Sequence, residues 1–215
     1  MTAPLETLSH LGKLLGQARF WAHIIESVSA FLYAVLIAWL AGVGIGVWLG
    51  ARRLAGDVAE PILVALHSIP KVTLYPVLLL LFGLGFSAKV VFGAIHGIVP
   101  VAIFALNAVR NIKPVHIKAA RMMNLEGPAL AWRVLIPAAL PEVFSGLRVG
   151  FALSLLGVQI GEMFASKQGL GFLIVNSINL VDTKTMMAVV ILLFAFAAAA
   201  NGIMLWIDHR LHRRA

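Results

Sequence analysis

The sequence has no cysteine and very few charged residues. Only 12% of its 215 residues are charged and 61% are hydrophobic, with a mean hydropathy of +0.97, whereas a typical soluble domain is about 25% charged. So little charge cannot cover a water-soluble globule, which excludes a soluble enzyme and a disordered protein. The lack of cysteine excludes a secreted disulfide scaffold. The composition leaves an integral membrane protein.

Several chemical motifs are also missing. No G-x4-G-K-[ST] run occurs, so the chain has no loop of that kind to hold ATP phosphates. The only histidine pair close together on one predicted helix is His209 and His212, in a basic C-terminal tail. No nucleophile lies near an acid-base pair in any predicted span. We therefore expect a chain that is not an enzyme and that binds no metal or cofactor itself.

Five apolar segments are long enough to cross a hydrocarbon core of about 30 Å, which takes roughly 20 residues. They are residues 29–50, 61–86, 89–109, about 143–164 and about 185–207. None alternates apolar and polar residues as a membrane β-strand does. The pattern predicts an all-α polytopic transmembrane bundle, in one domain at 29–207. Pro70, Pro76 and Pro100 are expected to interrupt two spans, as simple packing kinks or as the broken helices of transporters and channels.

The first 28 residues contain no crossing segment. Leu5, Leu8, Leu11 and Leu15 recur at helical spacing, while charged residues take other positions. This pattern predicts an amphipathic helix that lies in the membrane interface. The segment has no continuous apolar core and no small-residue cleavage site, so we do not expect a signal peptide.

The formal charge of +8 comes mainly from basic residues on one side of the predicted bundle. That side holds Arg52, Arg53, Arg110, Lys113, Lys118, Arg121, Arg133, Arg210, Arg213 and Arg214, and the other holds Lys13, Arg19, Lys89, Lys167 and Lys184. The richer side is expected in the cytoplasm. With five crossings, the basic tail at 208–215 is then cytoplasmic. The charge is a topology signal, and we expect no nucleic-acid partner.

Small residues mark one face of the first predicted span. Gly42, Gly46 and Gly50 follow each other at intervals of four, a spacing that lets helix backbones approach closely in lipid. We expect this face to pack against a neighbouring helix of the bundle, with a contact between subunits as the alternative.

The longest cytoplasmic loop, residues 111–143, has a helical pattern of its own. Ile117, Ala120, Met122 and Met123 can share one helical face, and a second short helix could run through 131–134. A short helix with apolar side chains at the membrane surface, without a soluble domain to pack on, indicates docking to a cytoplasmic protein.

The loop resembles that of the inner-membrane permease subunits of ATP-binding-cassette importers. Their motif is E-A-A, three residues, G, nine residues, I, one residue, then L-P. Here Lys118, Ala119 and Ala120 stand for E-A-A, Asn124 takes the glycine position, and Val134, Ile136 and Pro137 stand for I, L and P. The spacing is kept throughout. Asn tolerates the left-handed backbone, so we expect Asn124 to form the turn.

Other segments resemble the nitrate, sulfonate and taurine branch of that family. They are SIPKVTLYPVLLLLFGLG, the stretch that contains PAALP and GLR, and GEMFASKQGLGFLIVNSINLVDT. The resemblance covers about residues 22–214. Members usually carry one more span at the N-terminus, so the N-terminal topology and the start of the chain stay open.

The resemblance implies a bacterial inner-membrane protein with three kinds of protein partner. Two permease copies, alike or different, would form the pathway. Two separate ATPase subunits would hold ATP and Mg beneath it, and a periplasmic or extracellular solute-binding protein would deliver a small, anionic solute. The residues expected to dock the ATPase are Ile117, Lys118, Ala119, Ala120, Met123, Asn124 and Pro137 of the loop at 111–137.

Polar residues in or near the spans are candidates for the translocation pathway, because leaving them in lipid without partners costs several kcal/mol. These are Lys71, His96, Asn107, Arg148, Gln159 and Glu162. Each also has an ordinary interpretation. Lys71 could meet proline-freed carbonyls, Arg148 could neutralise a buried acid, and His96 and Asn107 could bond between helices. We expect Glu162 to be a solvated residue of the outer interface, with a gate or a contact to the binding protein as the alternative.

Two alternatives to an importer subunit stay open. A divergent permease-like partner in a heterodimer would suit Lys118, Asn124 and the missing span. An autonomous channel or ion-coupled carrier would explain the broken spans and Lys71 but not the spacing of the loop motif. The sequence does not identify the solute.

Overall fold

The computed structural model describes residues 4–125 and 127–212, and the regular structure of those residues is helical throughout. The predicted all-α class is confirmed. Residues 1–3, Glu126 of the loop and 213–215 of the basic tail lie outside the described residues. The α-helices are α1 (Pro4–Leu15), α2 (Ala18–Gly50), α3 (Arg53–Ser68), α4 (Tyr75–Phe82), α5 (Phe86–Arg110), α6 (Pro114–Met122), α7 (Gly127–Leu130), α8 (Ile136–Ala165), α9 (Leu170–Asn179) and α10 (Thr183–His212).

In the described part of the chain, four helical stretches are long and apolar enough to cross a membrane. They are α2, α5, residues 131–164 and α10, and α3 with α4 adds a fifth if that broken pair forms one span. Five crossings therefore agree with the sequence prediction. α1 is not among these stretches, also as predicted.

The first long helix begins earlier than hydropathy indicates. α2 starts at Ala18, whereas the predicted span starts at residue 29. The additional turns carry His23, Glu26 and Ser27, and the side chains of all three have polar partners in the fold. Because hydropathy registers these residues only as polar, it places the start of the helix too late in the sequence.

The three prolines expected to interrupt spans behave differently. Pro70 separates α3 from a 3-10 turn (Lys71–Leu74) that leads into α4, and Ile69 before it is extended at φ −67°, ψ 133°, the conformation that a following proline favours. Pro76 lies in the first turn of α4, where a missing N–H does no harm. Pro100 lies inside the continuous α5. A broken helix at Pro100 is thus excluded, since a transmembrane helix tolerates one freed carbonyl, and a packing kink there stays a prediction.

The chain divides into two compact units. Unit 1 comprises the residues up to Leu36, Pro70–His96 and Ala152–Gly202. Its apolar cores join α1, α2, α9 and α10 around Phe20 and Val189, and α4, α5 and α8 around Tyr75 and Phe92. α9 was not predicted as a helix, because ten residues between two spans read as a loop.

Unit 2 comprises Ile37–Ile69, Gly97–Phe151 and the residues from Ile203 onward. Within it, the glycine face of α2 lies directly on α5. A Cβ on Gly42 would lie 2.6 Å from Cβ of Val101, and one on Gly46 would lie 2.4 Å from the carbonyl oxygen of Ala102. A Cβ on Gly50 would lie 2.7 Å from a carbonyl oxygen of α5 in the same way. No side chain fits at these contacts.

Candidate functional site

The first candidate site, in unit 2, is the loop around α6. Asn124 ends the helix with a left-handed backbone, φ 54°, as the sequence predicted. The N–H of Leu125 donates to the carbonyl oxygen of Ala120 over 3.0 Å, the six-to-one bond of a Schellman helix end. Asparagine is the residue after glycine that most readily takes this position. The glycine position of the motif is thus filled by a residue able to make the turn.

The exposed face of α6 is apolar. Val115, Met122 and Met123 are 61%, 86% and 65% exposed, and Lys118 and Ala119 are exposed beside them. Ala120 is buried and Ile117 is half-buried. The expectation that Ile117, Ala120, Met122 and Met123 share one face was wrong: Ala120 packs inward, whereas the two methionines face outward.

The predicted second short helix is not separate. α7 continues through a π-helical turn (Ala131–Leu135) into α8, and the N–H of Ile136 bonds to the carbonyl oxygen of Ala131. Pro137 follows at once and has no N–H to donate. π-turns of this kind often occur at functional sites.

A cavity of about 600 Å³ in unit 2 lies between the α5–α6 connection and the start of α8. Its polar lining residues are Asn111, Lys113, His116, Arg133 and Glu142, and its apolar ones include Ile112, Val134, Pro137, Leu140 and Pro141. Pro137 is thus the one residue of the predicted docking set that lines this cavity.

A second candidate site, in unit 1, is a cluster of buried charges that the sequence analysis missed. Lys89, counted there among the basic residues at the outer ends of the spans, is completely buried. Its Nζ lies 2.9 Å from Oε1 of Glu26 and 3.3 Å from Oε1 of Glu162, and it donates to the carbonyl oxygen of Gln168 over 3.3 Å. A lysine that close to an apolar run is the signal that could have revealed the cluster.

Glu162 is enclosed on every side by donors. Oγ of Ser27 lies 2.8 and 2.7 Å from its two oxygens and donates to one of them. The N–H of Gly171, in the first turn of α9, donates to Oε2 over 2.9 Å, and the positive end of a helix dipole favours a carboxylate there. The expected solvated position of Glu162 was wrong, since its side chain is 0% exposed.

Glycine makes the approach of α9 to this carboxylate feasible. Gly169 has φ +125°, and a Cβ there would lie 2.2 Å from Cδ of Glu162. Its N–H donates to Nδ1 of His23 over 3.1 Å, while the N–H of Leu170 donates to Oγ of Ser27 over 2.7 Å. The Gly169–Gly171 backbone therefore forms one wall of the cluster.

The other predicted pathway residues belong to both units. In unit 1, Lys71 begins the 3-10 turn, and Nδ1 of His96 donates to the carbonyl oxygen of Phe92 in its own helix over 2.9 Å. The carboxamide of Gln159 is buried and has no hydrogen-bond partner among the described residues. In unit 2, Asn107 is half-buried in α5.

Arg148 of unit 2 has an acidic neighbour. Its Nη1 lies 3.7 Å from Oδ2 of Asp208, and Oγ of Ser145 donates to Oδ1 of Asp208 over 3.2 Å. Asp208 was assigned to the basic tail, but it is a buried residue of α10. The geometry favours the interpretation in which Arg148 neutralises a buried acid.

Comparison with known proteins finds a matching family model and several similar transport permeases. Residues 42–214 match the family model described as binding-protein-dependent transport system inner membrane component. The taurine transport system permease protein of Escherichia coli (strain K12) is 28% identical over 83% of this chain and 66% of its own length. The riboflavin transport system permease protein of Chloroflexus aurantiacus is 30% identical over 85% of this chain and 68% of its own.

The nitrate import permease protein of Leptolyngbya laminosa is 29% identical over 76% of this chain and 58% of its own length. The chain thus spans about two thirds or less of the taurine and nitrate relatives. Among solved structures, an inward-facing conformation of the MetNI methionine ABC transporter matches 98% of this chain and 99% of the compared chain, with a TM-score of 0.68 and 21% identity. At that identity the match establishes the fold alone.

Proposed function

The chain belongs to the family of binding-protein-dependent transport system inner membrane components, and from this premise we propose that it is the membrane-spanning permease subunit of an ATP-driven importer. In this proposal a separate ATPase subunit docks on the loop at 111–137 and drives the passage of a small solute into the cytoplasm. A solute-binding protein delivers the solute from outside, and a second permease, identical or different, completes the pathway.

The observation that carries the proposal is the exposed apolar face of α6. Val115 and Met122 lie on this short helix, and Met123 directly follows it in the turn that Asn124 closes with a left-handed backbone. Leaving such a face in water is unfavourable, and methionine surfaces adapt well to a partner. A rigid short helix with this face suits transmission of movement from a docked ATPase.

The cytoplasmic placement of this loop is supported by tryptophans beside the arginines on the same side. The guanidinium of Arg52 lies 4.8 Å from the ring centre of Trp48, and that of Arg210 lies 4.0 Å from that of Trp206. Trp132, next to Arg133, is 72% exposed. Exposed tryptophans mark the membrane–water interface, and clustered arginines mark its cytoplasmic side.

The solute we propose is a small anion with sulfonate- or nitrate-like oxygens. Relatives named for taurine and nitrate support this class. The relative named for riboflavin means that an uptake assay has to include a neutral aromatic solute as well.

The test begins with purification of the tagged chain from its native membrane in mild detergent, followed by mass spectrometry of the proteins that elute with it. A stoichiometric ATP-binding subunit would support the proposal. The number of permeases recovered would separate a homodimer from a heterodimer with a divergent partner. Recovery of this chain alone in several detergents, together with solute flux in ATP-free vesicles, would instead favour an autonomous channel or carrier.

A charge reversal tests the docking surface directly. We expect Lys118→Glu to change the ATP turnover of the assembled complex without reducing membrane insertion, because Lys118 lies on the exposed face of α6. Lys13→Glu is the matched control, since Lys13 is also exposed but belongs to α1. Equal turnover in wild type and Lys118→Glu would remove this residue from the interface.

A further inference from the structure

The 600 Å³ cavity of unit 2 is lined by three charged side chains. Lys113, Arg133 and Glu142 line it, and among the described residues none of the three has an ion-pair partner within 4.0 Å. Arg110, at the end of α5 nearby in sequence, is by contrast paired with Asp57 and Glu60. The cavity thus combines two unpaired cations with one unpaired carboxylate.

Backbone acceptors add to this set. Pro137 and Pro141 both lie in the continuous helical stretch and line the cavity. Since proline has no N–H, each removes the donor that the carbonyl one turn earlier would use. The carbonyls of Arg133 and Pro137 therefore lack their α-helical donors. Both of these residues line the cavity, as does the carboxylate residue Glu142.

The cavity and the proposed docking face belong to different sides of α6. His116 lines the cavity and lies one turn before the buried Ala120, whereas Val115 and Met122 are exposed. Residues four apart share a helical face, so the cavity side follows 116 and 120 and the outer side follows 115, 119 and 122. An ATPase on the outer side does not need to occupy the cavity.

The start of the α8 stretch fits the headgroup layer of the membrane. Residues 131–164 number 34, which at 1.5 Å per residue makes about 51 Å, well beyond a hydrocarbon core of about 30 Å. The part that the sequence predicts as a span is about 143–164. Residues 131–142, which supply most of the cavity wall, therefore extend into the headgroup region, and the exposed Trp132 is typical of that level.

We propose that this cavity binds the headgroup of a zwitterionic aminophospholipid. Lys113 and Arg133 bind its phosphate by charge-assisted hydrogen bonds, as basic clefts between membrane helices do. Glu142 and the carbonyls freed by proline accept hydrogen bonds from its primary ammonium. Leu140 and Val134 contact its glycerol and first methylenes. The inference rests on the membrane placement of α8 and not on importer activity.

The test measures lipid retention by the purified full-length chain in detergent, using native mass spectrometry. The probes are dioleoyl phosphatidylethanolamine, the phosphatidylcholine and the phosphatidylglycerol with the same chains. We expect one tightly retained phosphatidylethanolamine per chain and roughly tenfold or more weaker retention of the other two. The phosphatidylcholine ammonium has no N–H to donate, and the phosphatidylglycerol headgroup has no ammonium for Glu142.

Variants test the binding of the phosphate and of the ammonium group separately. We expect Lys113→Gln with Arg133→Gln to weaken all three lipids roughly tenfold or more, and Glu142→Gln to remove only the preference for phosphatidylethanolamine. Lys113→Arg should retain binding, and Arg53→Gln is the control for loss of an exposed charge elsewhere in unit 2. Size-exclusion profiles establish that each variant is folded.

Three results would overturn the proposal. One is retention no greater in wild type than in the double variant. Another is equal or stronger retention of phosphatidylglycerol, which would make the site a general anion site. The last is an absence of bound lipid together with loss of the co-purifying ATPase in the double variant, because the cavity would then be a protein docking site.

Discussion

The charged side chains of the two units differ in burial and in ion pairing. In unit 1, Lys89 and Glu162 are completely buried, yet each is surrounded by partners. In unit 2, Lys113, Arg133 and Lys118 are exposed, and no ion-pair partner within 4.0 Å is found for them in the residues that the structure describes. Burying an ion costs several kcal/mol unless it is paired, so the unit 1 charges have to satisfy each other.

This difference in burial and pairing suits the charges of unit 1 to a structural role and those of unit 2 to a binding role. The buried cluster joins α2, α5, α8 and the start of α9 through hydrogen bonds and ion pairs inside unit 1. A solute or partner protein would have to break these contacts to use them. The charges around α6 are already in water and can bind a partner at little cost. The proposed recognition by the loop of unit 2 therefore agrees with these contacts, and the unit 1 cluster stabilises the fold.

The largest predicted effect comes from removing the cation of the cluster. Lys89→Met leaves Glu162 and Glu26 without a counter-ion, and loss of one member of a buried pair typically costs about 3–5 kcal/mol. We expect a large fall in the thermal unfolding midpoint of the detergent-purified chain, at roughly 2–4 °C per kcal/mol for a chain of this size.

The double variant Lys89→Met, Glu162→Gln is the control. It removes both buried charges but keeps a side chain that can bond to Ser27 and Gly171, so we expect it to be more stable than Lys89→Met alone. Coupling of this kind is expected between residues in direct contact. Additive losses would show that the two residues do not act as a pair.

A smaller loss is predicted for Gly169→Ala, which tests the wall of the cluster. The new Cβ would lie 2.2 Å from Cδ of Glu162, on a backbone at φ +125°. The backbone strain alone is worth about 1–3 kcal/mol. Gly44→Ala is the matched control, because nothing lies within 4 Å of its Cβ position, and alanine inside a helix should stabilise the chain by about 0.5–1 kcal/mol. Two shifts of the same sign would contradict the assigned contact.

How much of the structure the sequence could predict depends on how far apart the interacting residues lie along the chain. Long apolar runs indicated the spans, and Asn124 indicated the turn, because both signals are local. The cluster was missed because Lys89 and Glu162 are 73 residues apart, and neither indicates its partner. The early start of α2 was missed for the same reason, since Ser27 appears only as a polar residue until Glu162 is known to lie beside it.

The local signal at Asn124 gives the next prediction, in the binding region of unit 2. Asn124→Val places a β-branched residue at φ 54°, which costs about 1–2 kcal/mol. We expect faster hydrogen–deuterium exchange at the amides of α6, whereas the Lys89 variants should leave these amides unchanged. Asn124→Gly should exchange as slowly as the wild type, because glycine adopts this backbone freely. Fast exchange in both variants would assign the effect to the asparagine side chain instead.

The smallest predicted effect concerns Asp182. Its charge is exposed like those around α6 but has hydrogen-bond partners like those of the buried cluster. Oδ1 of Asp182 accepts from the N–H of Thr185 over 3.1 Å at the start of α10. Hydrogen bonds from the side chain and backbone of Thr185, then the charge of His10 and the N–H of Lys184, hold the pKa of Asp182 below the ordinary value of an aspartate.

Because that pKa is lower in the folded chain than in the unfolded one, the stabilisation by Asp182 is complete above about pH 4. It is lost as the pH falls through the folded value. We expect the unfolding midpoint of the wild type to fall more between pH 5 and pH 3 than that of Asp182→Asn, which caps a helix without titrating. If the unfolding midpoints of wild type and Asp182→Asn fall in parallel with pH, the hydrogen bonds to Asp182 contribute no measurable stability.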